Sequence, residues 1–221
     1  LILWYDITVD GAVKAAKRTR RADKAQQTRQ RIIDAATRLF LERGYVPTTI
    51  EAIAEAADVA VETVYARFRN KTSLMVAVKD AAVTDGGTVP LPQRPELTGL
   101  AAEPSQSRQL EMAAALSRGM LQRISPIYAV LRDAAAADSA LRGPLTADIN
   151  RRRDFQRTLA QIVHACGPFR GGLTTEQAAE TYSALANPDL YLLLTTHHRW
   201  TADQYQAWLA RSLQLLLLPE P

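Results

Sequence analysis

Between Thr48 and Arg69, two short apolar stripes with helical spacing are separated by only Asp58-Val59-Ala60. The first stripe is Ile50, Ile53, Ala54 and Ala57, and the second is Val61, Val64 and Phe68. Apolar residues at such intervals turn one side of a helix toward a core. A break this short holds two helices across a tight turn, which makes the segment a helix-turn-helix by geometry. Any small helical bundle can show the same periodicity, so geometry alone leaves the function open.

The flanking residues predict two more helices. Ile32, Ala36, Leu39 and Phe40 form the inner face of one over about 23–43, closed by Gly44 at a left-handed cap. Another starts near Lys71, with Leu74, Val78 and Ala81 turned inward. Thr48-Thr49-Ile50-Glu51 reads as a capping box for the second helix, with Thr48 as the cap and Glu51 reaching back.

The remainder is also helical in pattern. Alanine and leucine are abundant, glycine is scarce, and 47% apolar residues suffice for a sizeable core. Gly86-Gly87, Pro90, Pro92, Pro95 and Pro104 predict a connector over 85–104. Helical segments follow at about 105–123, 126–138 and 141–166. Thr174 to Gln177 and Thr201 to Gln204 read as capping boxes, and Asn187-Pro188 as a cap with proline in the first helical position. The expected fold is all-α, with a basic, disordered arm over 1–22, a helix-turn-helix domain with its connecting helix over 23–84, the connector, and a larger helical domain over 105–218.

The net charge is only +4, but it is unevenly spread. Lys14, Lys17, Arg18, Arg20, Arg21, Lys24, Arg29 and Arg31 face a single acid, Asp23, within one stretch. Such a stretch suits a polyanion, although a solvated tail is the alternative. One cysteine, Cys166, excludes an internal disulfide and fits a reducing cytoplasm. The longest apolar run, Leu215 to Leu218, is too short to span a bilayer. Leu1 to Val13 carries its charges after its apolar stretch, so it is a poor signal peptide; it reads as a start-site artefact that forms no part of the expected fold.

The wording of the amino-terminal segment carries more than its periodicity. Thr28-Arg-Gln-Arg-Ile-Ile-Asp-Ala-Ala-Thr-Arg-Leu-Phe-Leu-Glu-Arg-Gly-Tyr45, Thr48-Thr-Ile-Glu-Ala-Ile-Ala-Glu-Ala-Ala-Asp-Val59 and Val64-Tyr-Ala-Arg-Phe-Arg-Asn-Lys-Thr-Ser-Leu74 resemble the TetR family of transcriptional regulators. The resemblance covers about fifty contiguous residues. Beyond them it rests on helix layout and on the stretch from Ser183 through Trp200 to Leu209. It implies a dimeric, ligand-responsive repressor of double-stranded DNA with a palindromic operator; activation stays open.

In a helix-turn-helix the second helix enters the major groove. Its outer face here is Ala60, Glu62, Thr63, Ala66 and Arg67. Thr63 can donate or accept at a base edge, Glu62 can accept from a cytosine amine, and Ala60 or Val61 can pack on a thymine methyl. The resemblance assigns phosphate contacts to Tyr65 and Lys71 and a backbone contact to Thr49, with Thr48 beside it at the same helix start. Arg67 stands where the family often has histidine, and Ala60 where serine is common, which leaves base preference open. The arm residues Arg18, Arg20, Arg21 and Lys24 are expected at phosphates or in a minor groove. Each has a plainer alternative: Tyr65 as core, Glu62 as a solvated charge, Lys71 as a helix flank, the arm as an inert tail.

The resemblance places effector binding and dimerisation after residue 105. Met112, Met120, Tyr128, Phe155 and His164 are candidate liners of an effector pocket, since methionine and aromatic groups adapt to apolar ligands. Leu185, Leu190, Tyr191, Leu194, Trp208, Leu209, Leu213 and Leu216 are candidates for a two-fold interface, with a monomer-core role as the alternative. Arg151-Arg152-Arg153 reads as a solvated helix face, or as a partner for an acidic ligand or the acidic residues of a second subunit. His197-His198, and His164 with Cys166, are too sparse for a metal site, and no cofactor is expected. No phosphate-cradling glycine loop, nucleophile elbow or paired carboxylate argues for an enzyme. A helical scaffold, or an enzyme without sequence-specific DNA binding, remains the competing class.

Overall fold

The computed structural model describes the backbone of residues 5–84 and 95–220, and side chains from residue 22 onward within those ranges. Its elements are α1 (Tyr5–Arg43), α2 (Ile50–Ala56), α3 (Val61–Phe68), α4 (Lys71–Thr84), α5 (Pro95–Ala102), α6 (Gln106–Ala137), a 3-10 turn (Ser139–Leu141), α7 (Arg142–Ala165), α8 (Thr175–Leu185), α9 (Pro188–Leu192), a π turn (Leu193–His197) and α10 (Ala202–Leu217). Among the described residues there is no strand, and no helix is long and apolar enough to cross a membrane.

Two apolar cores organise these helices. The first joins Ile32, Ile33, Leu39 and Phe40 of α1 to Ile53 of α2, Val64 and Phe68 of α3, and Leu74, Met75 and Val78 of α4. The same core takes in Ile127 and Leu131 from the carboxy-terminal half of α6. The helix-turn-helix is therefore packed against the larger domain. The second core joins α5 to α10, with Tyr205, Leu209, Leu213 and Leu159 fully buried.

Several expectations change. α1 extends back to Tyr5 instead of starting near Asp23, so over residues 5–22 a helical backbone replaces the expected disorder, and residues 1–4 lie outside the described residues. Its residues 12–22 are mostly alanine, lysine and arginine, all good helix formers. Gly44, at φ 82°, ends the helix as expected, and its N–H donates to the Phe40 carbonyl at 3.0 Å. The cap of α2 is Thr49 and not Thr48: the Thr49 hydroxyl accepts from the Ala52 N–H at 3.1 Å.

Residues 85–94 of the expected connector lie outside the described residues, and its remainder contains a helix, α5. Pro95 opens α5, where a missing N–H costs nothing, and Leu97 and Leu100 are buried one turn apart. The segments expected over 105–123 and 126–138 are one helix, α6, with Pro126 inside it. An interior proline costs about 3 kcal/mol. Leu121, Ile124, Ile127, Tyr128 and Leu131 are buried on both sides of it, each worth about 1.5–3 kcal/mol, so burial wins. Both capping boxes, Thr174 with Gln177 and Thr201 with Gln204, are formed, and Asn187 caps α9 ahead of Pro188.

Candidate nucleic-acid interface

The turn between α2 and α3 is made without glycine. Asp58 takes a left-handed conformation, φ 52°, which aspartate tolerates better than most residues. The N–H of Val59 donates to Ala54 O at 3.0 Å, closing the turn. Ile53 and Ala54 from α2 and Val64 and Phe68 from α3 then anchor the pair in the core.

Fixing that inner face determines the outer one. Ala60, Glu62, Tyr65, Ala66 and Arg67 are exposed, and Thr63 is half-buried. Tyr65 is 47% exposed, which removes its reading as a core residue. Val61 packs partly against the core, so it has less surface to offer a base than Ala60. Ala60 is the cap of α3 but has no side chain to bond the free N–H groups there.

Thr48 is a correction. It is 1% exposed, and its hydroxyl donates to Gly44 O at 2.8 Å, with Leu39 O at 3.3 Å. It braces the α1–α2 corner and has no face for a phosphate. Thr49 is exposed at the start of α2. Lys71 is half-buried: its ammonium donates to Val46 O at 3.1 Å and lies 4.3 Å from the centre of the Tyr45 ring. Burial lowers its pKa, against the pull of Asp138. Lys24 is exposed, while the side chains of Arg18, Arg20 and Arg21 lie outside the described residues.

The helix-turn-helix is tied to the larger domain through Asp138, a residue whose role sequence reasoning missed. The Tyr45 hydroxyl and the Thr72 hydroxyl each donate to Asp138 Oδ2 at 3.0 Å, and the Ala140 N–H donates to Oδ1 at 3.0 Å. The Ala140 N–H and these hydroxyls hold the Asp138 carboxyl below the usual carboxylate range, and burial raises the Tyr45 phenol. Asp138 sits between α6 and α7, so its contacts join that junction to the α1–α2 corner and the start of α4. Asn70 was also missed; its side chain caps α4 by accepting from the Ser73 N–H at 2.7 Å. An Asn just before a helix was the available signal.

Between α4, α5, α6 and α7 lies a cavity of about 510 Å³. Of the five candidate liners, Met120 and Phe155 face it. Tyr128 is buried next to it, beneath the Arg152 guanidinium at 4.4 Å. Met112 lines a separate groove, shared with Met120. His164 is exposed and stacks on Phe169 at 5.2 Å, away from the cavity. Of the interface candidates, Tyr191, Leu209 and Leu213 are buried in this chain's own core; Leu185, Leu190, Leu194 and Trp208 are half-buried; Leu216 is 49% exposed.

The site is thus a tight helix-turn-helix pair with an exposed polar row on its second helix, packed against a helical domain that holds a cavity. Residues 32–78 match the family described as bacterial regulatory proteins, tetR family. The chain is 44% identical over 62 residues to the HTH-type transcriptional regulator TtgR of Pseudomonas putida, a match covering 28% of this chain and 30% of that protein. The matches to curated relatives thus span about a third of their length. Whole-chain similarity is to folds. A transcriptional regulator of Saccharomonospora viridis in complex with choline has a TM-score of 0.69 at 18% identity, covering 88% of this chain and 100% of the other. NalD, the secondary repressor of the MexAB-OprM multidrug efflux pump in Pseudomonas aeruginosa, has a TM-score of 0.63 at 23% identity, covering 89% and 98%.

Proposed function

We propose that this chain is a ligand-responsive transcriptional repressor, acting in the cytoplasm as a homodimer on a palindromic operator in double-stranded DNA. The observation that carries the reading is the exposed row on α3, held by a core that fixes which residues face outward. Glu62, Thr63, Ala66 and Arg67 address base edges, with Ala60 and Val61 at a thymine methyl. Tyr65, Thr49, Lys71 and the basic stretch from Arg18 to Lys24 address the backbone. Residues 23–84 are the DNA-reading unit and 105–218 the effector-binding and dimerising unit.

Three exposed leucines, Leu193, Leu215 and Leu216, favour a second copy as the partner of the carboxy-terminal helices. An effector in the α4–α7 cavity acts by favouring the arrangement in which the two recognition helices no longer match the operator spacing. The Asp138 contacts supply the route between the two. The choline complex of the Saccharomonospora viridis protein supports a small-molecule effector of some kind.

The test is a salt titration of duplex binding by fluorescence anisotropy. A DNA reader making several phosphate contacts loses about 10³-fold or more in affinity between about 50 and 200 mM salt. A helical scaffold binds no duplex at either end of that range, and that result would overturn the reading.

A further inference from the structure

The cavity between α4 and α7 has one apolar side and one charged end. Leu97, Met120, Ile124 and Phe155 provide the apolar side. Lys79, Asp148, Arg151 and Arg152 provide the charged end. Resting on the reading of this cavity as the effector site, we propose that its ligand is an amphipathic carboxylate, with the carboxylate at Arg152 and an apolar body along Met120 and Phe155.

Asp148 lies at the centre of the charged end. Its side chain is 6% exposed, and three cations surround it: Lys79 Nζ at 3.7 Å, Arg151 Nη2 at 3.5 Å and Arg152 Nε at 3.4 Å. A buried carboxylate so surrounded has little to offer a cationic ligand. The charges at this end are Lys79, Arg151 and Arg152 against Asp148 and Asp80, an excess of one positive charge. The remaining carboxylate of the lining, Asp154, is exposed and paired with Arg157 at 3.0 Å.

Arg152 is the group left with capacity. Its Nε is buried without a hydrogen-bond acceptor, and its guanidinium lies over the Tyr128 ring at 4.4 Å. Among the described residues, no hydrogen bond engages its terminal nitrogens. A guanidinium held in place, with donors unspent, suits a carboxylate in a two-point contact. The Arg151-Arg152-Arg153 run is thus split by the helix: Arg152 turns inward beside Asp148, while Arg151 and Arg153 are exposed.

The probes are three ten-carbon chains differing only in head group, used below their aggregation limits: decanoate, decan-1-ol and decyltrimethylammonium. Calorimetry on the full chain without DNA should show decanoate binding at least about tenfold more tightly than either of the others. Arg152→Gln should abolish that preference and leave decan-1-ol unchanged, with circular dichroism confirming the fold. Should that variant unfold, the methionine methyl NMR signals of the unaltered protein decide: decanoate must shift Met120 and leave Met75, in the other core, in place. Equal binding of the three heads, a preference for the ammonium, a folded Arg152→Gln that keeps the preference, or an unmoved Met120 would each overturn the proposal. Duplex binding is measured separately. Its failure with decanoate binding intact would remove the regulator reading instead.

Discussion

Lys71 has a task in the fold and a proposed one at DNA. Its ammonium pins the α1–α2 corner through Val46 O and Tyr45, yet it is only half-buried and keeps further N–H donors for a phosphate. Lys71→Ala should weaken all duplexes alike and flatten the salt slope by about one phosphate contact. Thr63→Ala should instead change which base is preferred at one position, by about 1–3 kcal/mol. Ala60 gives a prediction of opposite sign. Serine there would bond a free N–H at the start of α3, so Ala60→Ser should stabilise the fold by about 1 kcal/mol in denaturant unfolding.

Asp138 makes stability depend on acid. The folded carboxyl titrates below the unfolded value of about 3.9, so its contribution is fully present above that pH and is lost as pH falls toward the lowered folded value. Melting temperatures of the parent should therefore drop faster below about pH 4 than those of Asp138→Asn. Parallel curves would show that the Tyr45 and Thr72 contacts contribute nothing.

At the scale of elements, the polar caps are the simplest to test. Thr201 accepts from the Gln204 N–H at 3.1 Å while Gln204 reaches back to the Thr201 N–H at 2.8 Å. Thr201→Ala should cost about 1 kcal/mol, read as a lower denaturation midpoint.

Much of this level was legible in the sequence because its signals are local. The capping boxes, Gly44 and the apolar stripes of α1 to α4 depend on residues within one or two turns. What was not legible depends on tertiary contacts. Pro126 breaks a helix by its own chemistry, and only the apolar face shared with α4 and α10 carries α6 through it. Thr48 and Thr49 are equivalent as sequence caps; the carbonyls of Leu39 and Gly44, which claim Thr48, come into reach only when the corner folds. Arg152 and its exposed neighbours differ only in which side of α7 meets α6.

For the whole molecule, the proposed two-fold arrangement makes the final demand. Leu216 is exposed on α10, next to Leu215. Leu216→Glu should shift the chain toward monomer by light scattering and weaken operator binding, since each protomer then holds only one half-site. An unchanged mass would place the interface elsewhere.

The central claim is that α3 reads a specific duplex, twice. Its most direct test is selection of bound sequences from a random duplex library by the purified full chain, repeated with Thr63→Ala and Tyr65→Phe. Recovery of a palindromic site whose preferred bases change with Thr63→Ala, and whose overall affinity falls with Tyr65→Phe, is the predicted result. A folded protein that enriches no sequence at low salt would contradict it.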